Sequence, residues 1–202
     1  MNYLAHFYLS QHNENLILGN LLADSMTGGL DKPQYAVFSA EIRLGIKMHR
    51  EIDRFTDAHE IVRKSIHRLQ PKYHKYSGVI VDMYYDHILA KNWNQYCDTP
   101  IELYSAQVYK IFEENKEIIP LKMNRLVHSM TSRDWLSNYR FEENLKWAFA
   151  GLAKRAKFIS NMEYAFDDLM EHFYEFSEEF KLFFPEIIIH INKFLAEERN
   201  SL

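Results

Sequence analysis

The sequence predicts an all-α protein with a single domain. Its 202 residues include only 6 Gly and 5 Pro, few for a β-rich or loop-rich fold and ordinary for helices with short connections. Apolar residues recur at helical spacing along most of the chain, and no segment shows the strict alternation typical of a half-buried strand. Because there are no repeats, low-complexity tracts or convincing linkers, residues 1–202 are predicted to form one helical bundle.

Helical periodicity is found in successive segments that end at Gly, Pro or capping residues. These segments are residues 2–12, 16–26, 35–55, 58–69, 77–96, 100–116, 141–159, 161–184 and 186–199. A loop is expected over residues 28–33, and Thr56 or Asp57 is expected to cap the helix that follows. Pro185 is expected to interrupt the C-terminal helices, and Trp147 is expected to lie in the core.

Composition and charge restrict the class of protein. A charged fraction of 26% and a hydrophobic fraction of 47% are ordinary for a soluble protein, and a net charge of −4 argues against nucleic acid as a partner. Cys97 is the only cysteine, which excludes an intrachain disulfide and fits a reducing compartment. No segment approaches the roughly 18 apolar residues of a membrane span, and the first residues make a poor signal peptide. A cytoplasmic enzyme or binding protein is expected.

Charge is distributed unevenly along the chain. Residues 43–75 carry nine basic against four acidic side chains, whereas residues 163–186 carry eight acidic side chains against Lys181 alone. Two solvated helix faces would explain this pattern. The alternative is that the basic region receives an acidic partner.

The helix predicted over residues 35–55 carries the densest set of reactive side chains. His49 and Asp53 are four residues apart, so both can reach the same point beside the helix. Asp57 lies one turn further on, although a helix cap explains it nearly as well. With Arg50 and Arg54 beside them, these side chains suit a divalent metal that holds a phosphate ester.

Other acidic and imidazole side chains lie in apolar segments, where burial is costly without a cation or a hydrogen-bond donor. They are His6, Asp24 (four residues after Asn20), Asp86 and His87. Each alone is more often a hydrogen-bonded core residue than a ligand. Together with His49 and Asp53 they are better explained by a metal, since buried carboxylates without cations repel one another. A mixed His/Asp set suits Mn²⁺, Fe²⁺, Mg²⁺ or Zn²⁺, and the oxygen-rich balance favours the harder ions.

Four sequence blocks occur in order along residues 1–95. They are Met-Asn-Tyr-Leu-Ala-His6, Gly19-Asn-Leu-Leu-Ala-Asp24, Gly45-Ile-x-Met-His49-Arg50-x-Ile-Asp53-x-x-Thr56-Asp57 and Asp82-Met-x-x-Asp86-His87-x-Leu, with Trp93 after the last. In this combination the chain resembles the acyl carrier protein phosphodiesterase family, also called acyl carrier protein hydrolases. Beyond Trp93 the resemblance is limited to helical character and the element Trp135-Leu-x-x-Tyr139-Arg140.

The resemblance implies an all-α fold related to the HD-domain phosphohydrolases and a divalent metal, typically Mn²⁺. It also implies hydrolysis of the phosphodiester between 4′-phosphopantetheine and the serine of holo-acyl carrier protein, a reaction of lipid metabolism and fatty acid biosynthesis. Carrier proteins of this kind are small and strongly acidic. An HD site takes ligands from a His, a His-Asp pair and a distant Asp. This sequence departs from that pattern, because Asp86-His87 has the reverse order.

A site hypothesis combines the resemblance with the chemistry of the side chains. The predicted metal ligands are Asp24, His49, Asp53 and Asp86. His6 and His87 are each expected to be a ligand, a partner of a ligand or the general acid for the serine oxygen, and Asp24 also has a predicted catalytic role. Arg50 is the predicted phosphate clamp, because a guanidinium fork matches phosphate oxygens. Arg54 is expected to contact substrate, and Asn20 to orient water or substrate.

Two other functions fit the same residues. One is an HD-type phosphohydrolase that acts on a nucleotide or another small phosphoester, since related sites serve many substrates. The other is a non-catalytic helical module that binds an acidic partner, in which the polar residues are buried hydrogen-bond partners without a metal.

Overall fold

The computed structural model describes residues 1–30, 32 and 35–200, and all regular structure in these residues is helical. The α-helices are α1 (Tyr3–Leu9), α2 (Glu14–Ala23), α3 (Ala40–Ala58), α4 (Glu60–Tyr73), α5 (Ser77–Lys91), α6 (Ile101–Glu114), α7 (Asn124–Ser132), α8 (Trp135–Asn138), α9 (Glu142–Arg155), α10 (Ala165–Glu171) and α11 (Phe173–Asn200). Short 3₁₀ turns cover His74–Tyr76, Trp93–Gln95, Leu121–Met123 and Met162–Tyr164. The all-α prediction is confirmed for these parts of the chain.

The start of α3 differs from its predicted position. The apolar pattern suggested a helix from residue 35, but residues 36–39 form a turn and α3 begins at Ala40. The reason is local, because the Ser39 hydroxyl accepts a hydrogen bond from Ile42 N at 3.2 Å and so caps the helix. The predicted loop at 28–33 is consistent with the structure up to Leu30, while Asp31 and Pro33 lie outside the described residues.

Two prolines lie inside helices that were predicted to end before them. Pro71 lies inside α4 and Pro185 lies inside α11, which continues to Asn200. A proline removes one backbone hydrogen bond and crowds the preceding turn. Buried Phe184 and Ile187 flank Pro185, and their packing offsets that loss. The break in this region instead falls at His172, between α10 and α11.

The cap of α4 is also different from the prediction. Neither Thr56 nor Asp57 caps this helix, since both lie within α3. The cap is His59, whose Nδ1 accepts a hydrogen bond from Ile61 N at 3.3 Å. Asp57 is an exposed residue of the last turn of α3.

Aromatic rings form much of the core around α11. Phe180 stacks on Phe184 with ring centroids 4.7 Å apart, and Tyr85 of α5 packs edge-on against Phe180 at 5.4 Å. Trp147 was expected in this core, but 70% of it is exposed. Its neighbours along α9, Leu145 and Phe149, supply the buried face of that helix instead. No α-helix in the described ranges combines the length and apolarity needed to cross a bilayer.

The uneven charge of the sequence is partly neutralised within the fold. Acidic residues of α10 and α11 lie against α4, so the basic and acidic regions meet. Lys72 Nζ lies 2.9 Å from Asp168 Oδ2, and Lys64 Nζ lies 3.3 Å from Glu179 Oε1. This part of the basic region is therefore used for internal ion pairs, and it is a weaker candidate for binding an acidic partner than the sequence suggested.

Glu179 is the most buried acid of these ion pairs, and it joins α11 to α4. It is 4% exposed and accepts hydrogen bonds from Arg68 Nη1 at 2.7 Å, Arg68 Nη2 at 2.6 Å and the Ser65 hydroxyl at 2.5 Å. Burial opposes its ionisation, but the hydrogen bonds from Arg68 and Ser65 outweigh burial and lower the pKa of the Glu179 carboxyl.

Replacing Glu179 is expected to destabilise the protein strongly. Glu179→Gln should lower the free energy of unfolding by about 3 kcal/mol at pH 7, because the partly buried Arg68 is left against a neutral partner. Because the pKa of Glu179 is lower in the folded protein than its ordinary value of 4.5, its ionised carboxylate stabilises the fold at pH values above 4.5. This stabilisation is lost as the pH falls through the pKa that Glu179 has in the folded protein. Urea unfolding should therefore show a difference between wild type and variant that shrinks on acidification.

The neighbouring residue Glu178 provides the control. Its side chain is about half exposed, and within the described residues its ion pair is with Lys181, at 2.7 Å on the same helix face. Glu178→Gln should change the free energy of unfolding by less than about 0.5 kcal/mol. Equal effects of the Glu178 and Glu179 variants would contradict the structural role given to Glu179.

Candidate metal centre

Three possible metal ligands converge where α1 meets α3. His6 Nε2 lies 3.2 Å from Asp53 Oδ1, and His49 Nε2 lies 3.2 Å from Asp53 Oδ2. Ligand atoms of the three residues all lie within 4.8 Å of one another. The two imidazole rings stack with centroids 4.3 Å apart. The i, i+4 spacing on α3 thus brings His49 and Asp53 together as predicted, and α1 adds His6 from a distant part of the chain.

The orientation of His6 is fixed by a chain of buried hydrogen bonds. Its Nδ1 lies 3.0 Å from Asn20 Oδ1. The Asn20 amide donates to Leu16 O at 3.2 Å and to the Ser10 hydroxyl at 3.0 Å, so its oxygen must face His6. His6 therefore carries its proton on Nδ1, and Nε2 presents a lone pair to Asp53.

Asn20, which was predicted to orient water or substrate, lies buried behind His6. It is 1% exposed and has its hydrogen-bonding groups directed to protein partners. Asn20 lies on α2, four residues before Asp24, and contacts the His6 ring at Nδ1, on the side away from Asp53. Orienting partners of this kind commonly fix the tautomer of metal-binding histidines.

Protonation states in this group favour a cation. Burial lowers the pKa of His6, so the imidazole is neutral near pH 7. Burial opposes ionisation of Asp53, but hydrogen bonding, first of all from His49, lowers the pKa of its carboxyl. A lone pair on His6 Nε2 that faces a carboxylate at 3.2 Å is repulsive unless a cation lies beside both atoms. The donor set, two imidazoles and a carboxylate, fits a divalent transition metal.

Asp24 borders this group and is positioned by a residue that sequence reasoning missed. Its Oδ1 lies 3.5 Å from His49 Nε2, and its Oδ2 accepts a hydrogen bond from the Tyr3 hydroxyl at 2.5 Å. Burial, followed by the charge and hydrogen bond of Asp24, raises the pKa of Tyr3, so the phenol stays a donor. The sequence carried a signal for Tyr3, which lies three residues before His6 and so shares a face of α1 with it.

Asp86 lies apart from the three converging ligands, although it was predicted to be a ligand. It is fully buried on α5, and its oxygens accept hydrogen bonds from Leu4 N at 2.8 Å and Ala5 N at 3.2 Å. Burial raises the pKa of this carboxyl to about 7, despite these donors. Asp86 satisfies free N–H groups at the start of α1, and it thereby fixes the helix that presents His6.

His87 is also placed away from the converging ligands. Its Nδ1 lies 2.7 Å from Tyr139 O, and the ring packs against Phe173 with centroids 6.4 Å apart. Its Nε2 is buried without a hydrogen-bond partner in the described structure. The predicted roles of His87 as ligand, partner of a ligand or general acid therefore lack the required contact.

The two arginines predicted to bind substrate face different surroundings. Arg50 Nη2 donates to Gly28 O at 2.8 Å, beside the segment that follows Asp24. Arg54 is paired with Glu51, with Nε 2.8 Å from Oε2. Glu51 is also bonded to His190 of α11, so Arg54 faces α11. Arg50 is exposed beside the segment that follows Asp24, whereas Arg54 is paired with Glu51.

Comparison with known proteins identifies the family. The family model described as acyl carrier protein phosphodiesterase matches residues 1–187. A protein named acyl carrier protein phosphodiesterase from Photorhabdus laumondii subsp. laumondii is 29% identical over 188 residues, which are 92% of this chain and 92% of that protein. Proteins with the same name from Pectobacterium atrosepticum and Yersinia enterocolitica are 26% and 28% identical, and each alignment covers 93% of this chain and 96% of the relative.

No solved structure matches the chain. The family match covers all the residues that converge at the candidate centre, together with Tyr3, Asn20 and Asp24. The chain belongs to the acyl carrier protein phosphodiesterase family.

Proposed function

We propose that the protein hydrolyses the phosphodiester that joins 4′-phosphopantetheine to a serine of holo-acyl carrier protein. The products are apo-acyl carrier protein and free 4′-phosphopantetheine. Membership of the family supports the substrate. The observation that carries the chemistry is the convergence of His6 Nε2 and His49 Nε2 on the Asp53 carboxylate, each at 3.2 Å.

A divalent metal, Mn²⁺ before Mg²⁺ or Fe²⁺, is the proposed cofactor. His6, His49 and Asp53 would hold it, and Asp24 is placed to be a further ligand. When bound, a divalent cation would neutralise charge on the phosphoryl oxygens and would activate water for attack near neutral pH. A phosphodiester needs both, because its negative charge repels a nucleophile.

The side chains around the centre have complementary roles in this proposal. Tyr3 holds Oδ2 of Asp24 and leaves Oδ1 facing His49, which is where a further ligand is needed. Arg50 uses Nη2 for Gly28 O, so its remaining N–H groups are available to phosphoryl oxygens. Asn20 keeps the proton of His6 on Nδ1, which holds Nε2 ready as a ligand.

The proposal includes a distant relation to the HD-domain phosphohydrolases, with residues 1–202 acting as one domain. His and Asp donors on packed helices support this relation. The arrangement is non-standard, because the reversed pair Asp86-His87 lies outside the converging ligands and the centre is built on α1 and α3. A cytoplasmic role in lipid metabolism and fatty acid biosynthesis follows from the proposed substrate.

The decisive experiment measures hydrolysis of purified holo-acyl carrier protein. Protein treated with a chelator should be inactive, and Mn²⁺ should restore activity, with conversion of holo- to apo-protein followed by intact mass and release of 4′-phosphopantetheine by chromatography. A panel of nucleotides and small phosphoesters is assayed in parallel. Turnover of the panel without turnover of the carrier protein would overturn the proposed substrate, and full activity in chelator would overturn the metal.

A further inference from the structure

Three cationic side chains converge on the segment from Ser25 to Gly28, which directly follows Asp24. Lys122 Nζ donates to Ser25 O, Lys32 Nζ donates to Thr27 O at 2.7 Å, and Arg50 Nη2 donates to Gly28 O at 2.8 Å. These side chains come from three distant positions in the sequence. Their charges therefore meet only in the folded protein.

These cations differ in their partners from five other basic residues of the 43–75 region, to which Arg50 also belongs. In that region, five basic side chains form ion pairs with carboxylates of this chain: Lys47 with Glu198, Arg54 with Glu51, Lys64 and Arg68 with Glu179, and Lys72 with Asp168. Lys32, Arg50 and Lys122 donate to backbone carbonyls, and no ion pair joins them to a carboxylate of the described residues. A carbonyl satisfies a hydrogen bond but leaves the positive charge uncompensated.

The surroundings of these cations suit protein contact. Arg50 and Lys122 are exposed, and Leu121, beside Lys122, is 86% exposed. Arg155 at the end of α9 adds a further positive charge, close enough to Tyr3 to affect the pKa of its phenol. Uncompensated cations next to an exposed apolar side chain form a surface that an acidic protein can bind.

We propose that Lys32, Arg50, Leu121 and Lys122 form the docking surface for the acidic carrier protein. This inference rests on the proposed function and assigns its substrate contact. The chain as a whole carries a net charge of −4, so the two acidic proteins repel each other at long range. A local positive surface beside Asp24 overcomes that repulsion in one orientation, and it directs the serine-linked phosphodiester towards the centre.

The experiment compares Lys122→Glu with wild type on two substrates. One is holo-acyl carrier protein, and the other is a phosphopantetheinyl-serine peptide without acidic residues. At low ionic strength, Lys122→Glu should raise KM for the carrier protein about tenfold, as reversal of a charge at an interface does. KM for the peptide should rise much less, and the salt dependence of KM for the carrier protein should weaken. Lys122→Ala should act in the same direction with a smaller change.

Lys181→Glu is the matched control, because Lys181 is an exposed lysine paired with Glu178 at 2.7 Å on α11. It should leave the ratio of the two KM values as in wild type. If wild type hydrolyses both substrates and Lys122→Glu keeps the wild-type ratio, the docking surface is wrong.

Direct binding separates this inference from the proposed function. If wild type hydrolyses neither substrate, the proposed function fails, and calorimetric titration of holo-acyl carrier protein at low salt decides the docking surface by itself. Binding by wild type that Lys122→Glu weakens at least fivefold would support the surface. Equal binding by the variant, or no binding by wild type, would overturn it.

Discussion

Asp53→Asn is expected to remove hydrolysis of holo-acyl carrier protein almost completely, with kcat/KM lower by about 10³-fold or more. Asp53 is the carboxylate that both imidazoles face, with His6 Nε2 and His49 Nε2 each 3.2 Å away. Asparagine has the same shape but no charge, so the set of ligands loses its anion. Loss of several kcal/mol of charge stabilisation at a metal site corresponds to about three powers of ten in rate.

Metal content should change together with activity. Wild type reconstituted with Mn²⁺ should retain the ion through desalting, whereas Asp53→Asn should lose most of it, as measured by elemental analysis. Asp57→Asn is the matched control, since Asp57 lies one turn further along α3 and is exposed. It should keep both metal and activity. An Asp53→Asn protein that retained its metal and its activity would show that the centre lies elsewhere.

The sequence predicts correctly only those contacts of the site that form within a single helix. His49 and Asp53 lie four residues apart on α3, so helix geometry alone brings them together. His6 belongs to α1, and its contact with Asp53 depends on tertiary packing. Its candidacy could be seen only from its apolar surroundings and from the block of sequence that contains it.

Helical spacing identifies the face of a helix, but it does not identify the partner across that face. Asp86 was correctly expected to need a donor or a cation in an apolar helix. The donors are the N–H groups of Leu4 and Ala5, which no spacing within α5 reveals. His87 likewise meets Tyr139 O, a group 52 residues away along the chain. Pro185 was misjudged for a related reason, because packing against the core outweighed a local preference.

Gly19→Ala and Gly45→Ala are expected to destabilise the protein by about 3 kcal/mol each, because α2 and α3 touch at these glycines. A Cβ at Gly19 would lie 2.3 Å from Ile42 O and 2.6 Å from Gly45 Cα. At Gly45, a Cβ would lie 2.6 Å from Leu16 O and 2.9 Å from Gly19 Cα. All these neighbours are backbone atoms, so no side-chain rotation relieves the clash and the helices must separate.

Separation of α2 from α3 should also disturb the centre, because Asp24 follows α2 and His49 belongs to α3. The 3.5 Å approach of Asp24 Oδ1 to His49 Nε2 depends on that packing, so both variants should lose activity under conditions in which they remain folded.

Gly151→Ala is the control within a helix, since its Cβ would meet no atom within 4 Å. Alanine is the better helix former, and this change should stabilise the protein by about 0.5–1 kcal/mol. Urea unfolding measures the change in the free energy of unfolding for each variant. If this change had the same sign in all three, the close packing of α2 on α3 would be refuted.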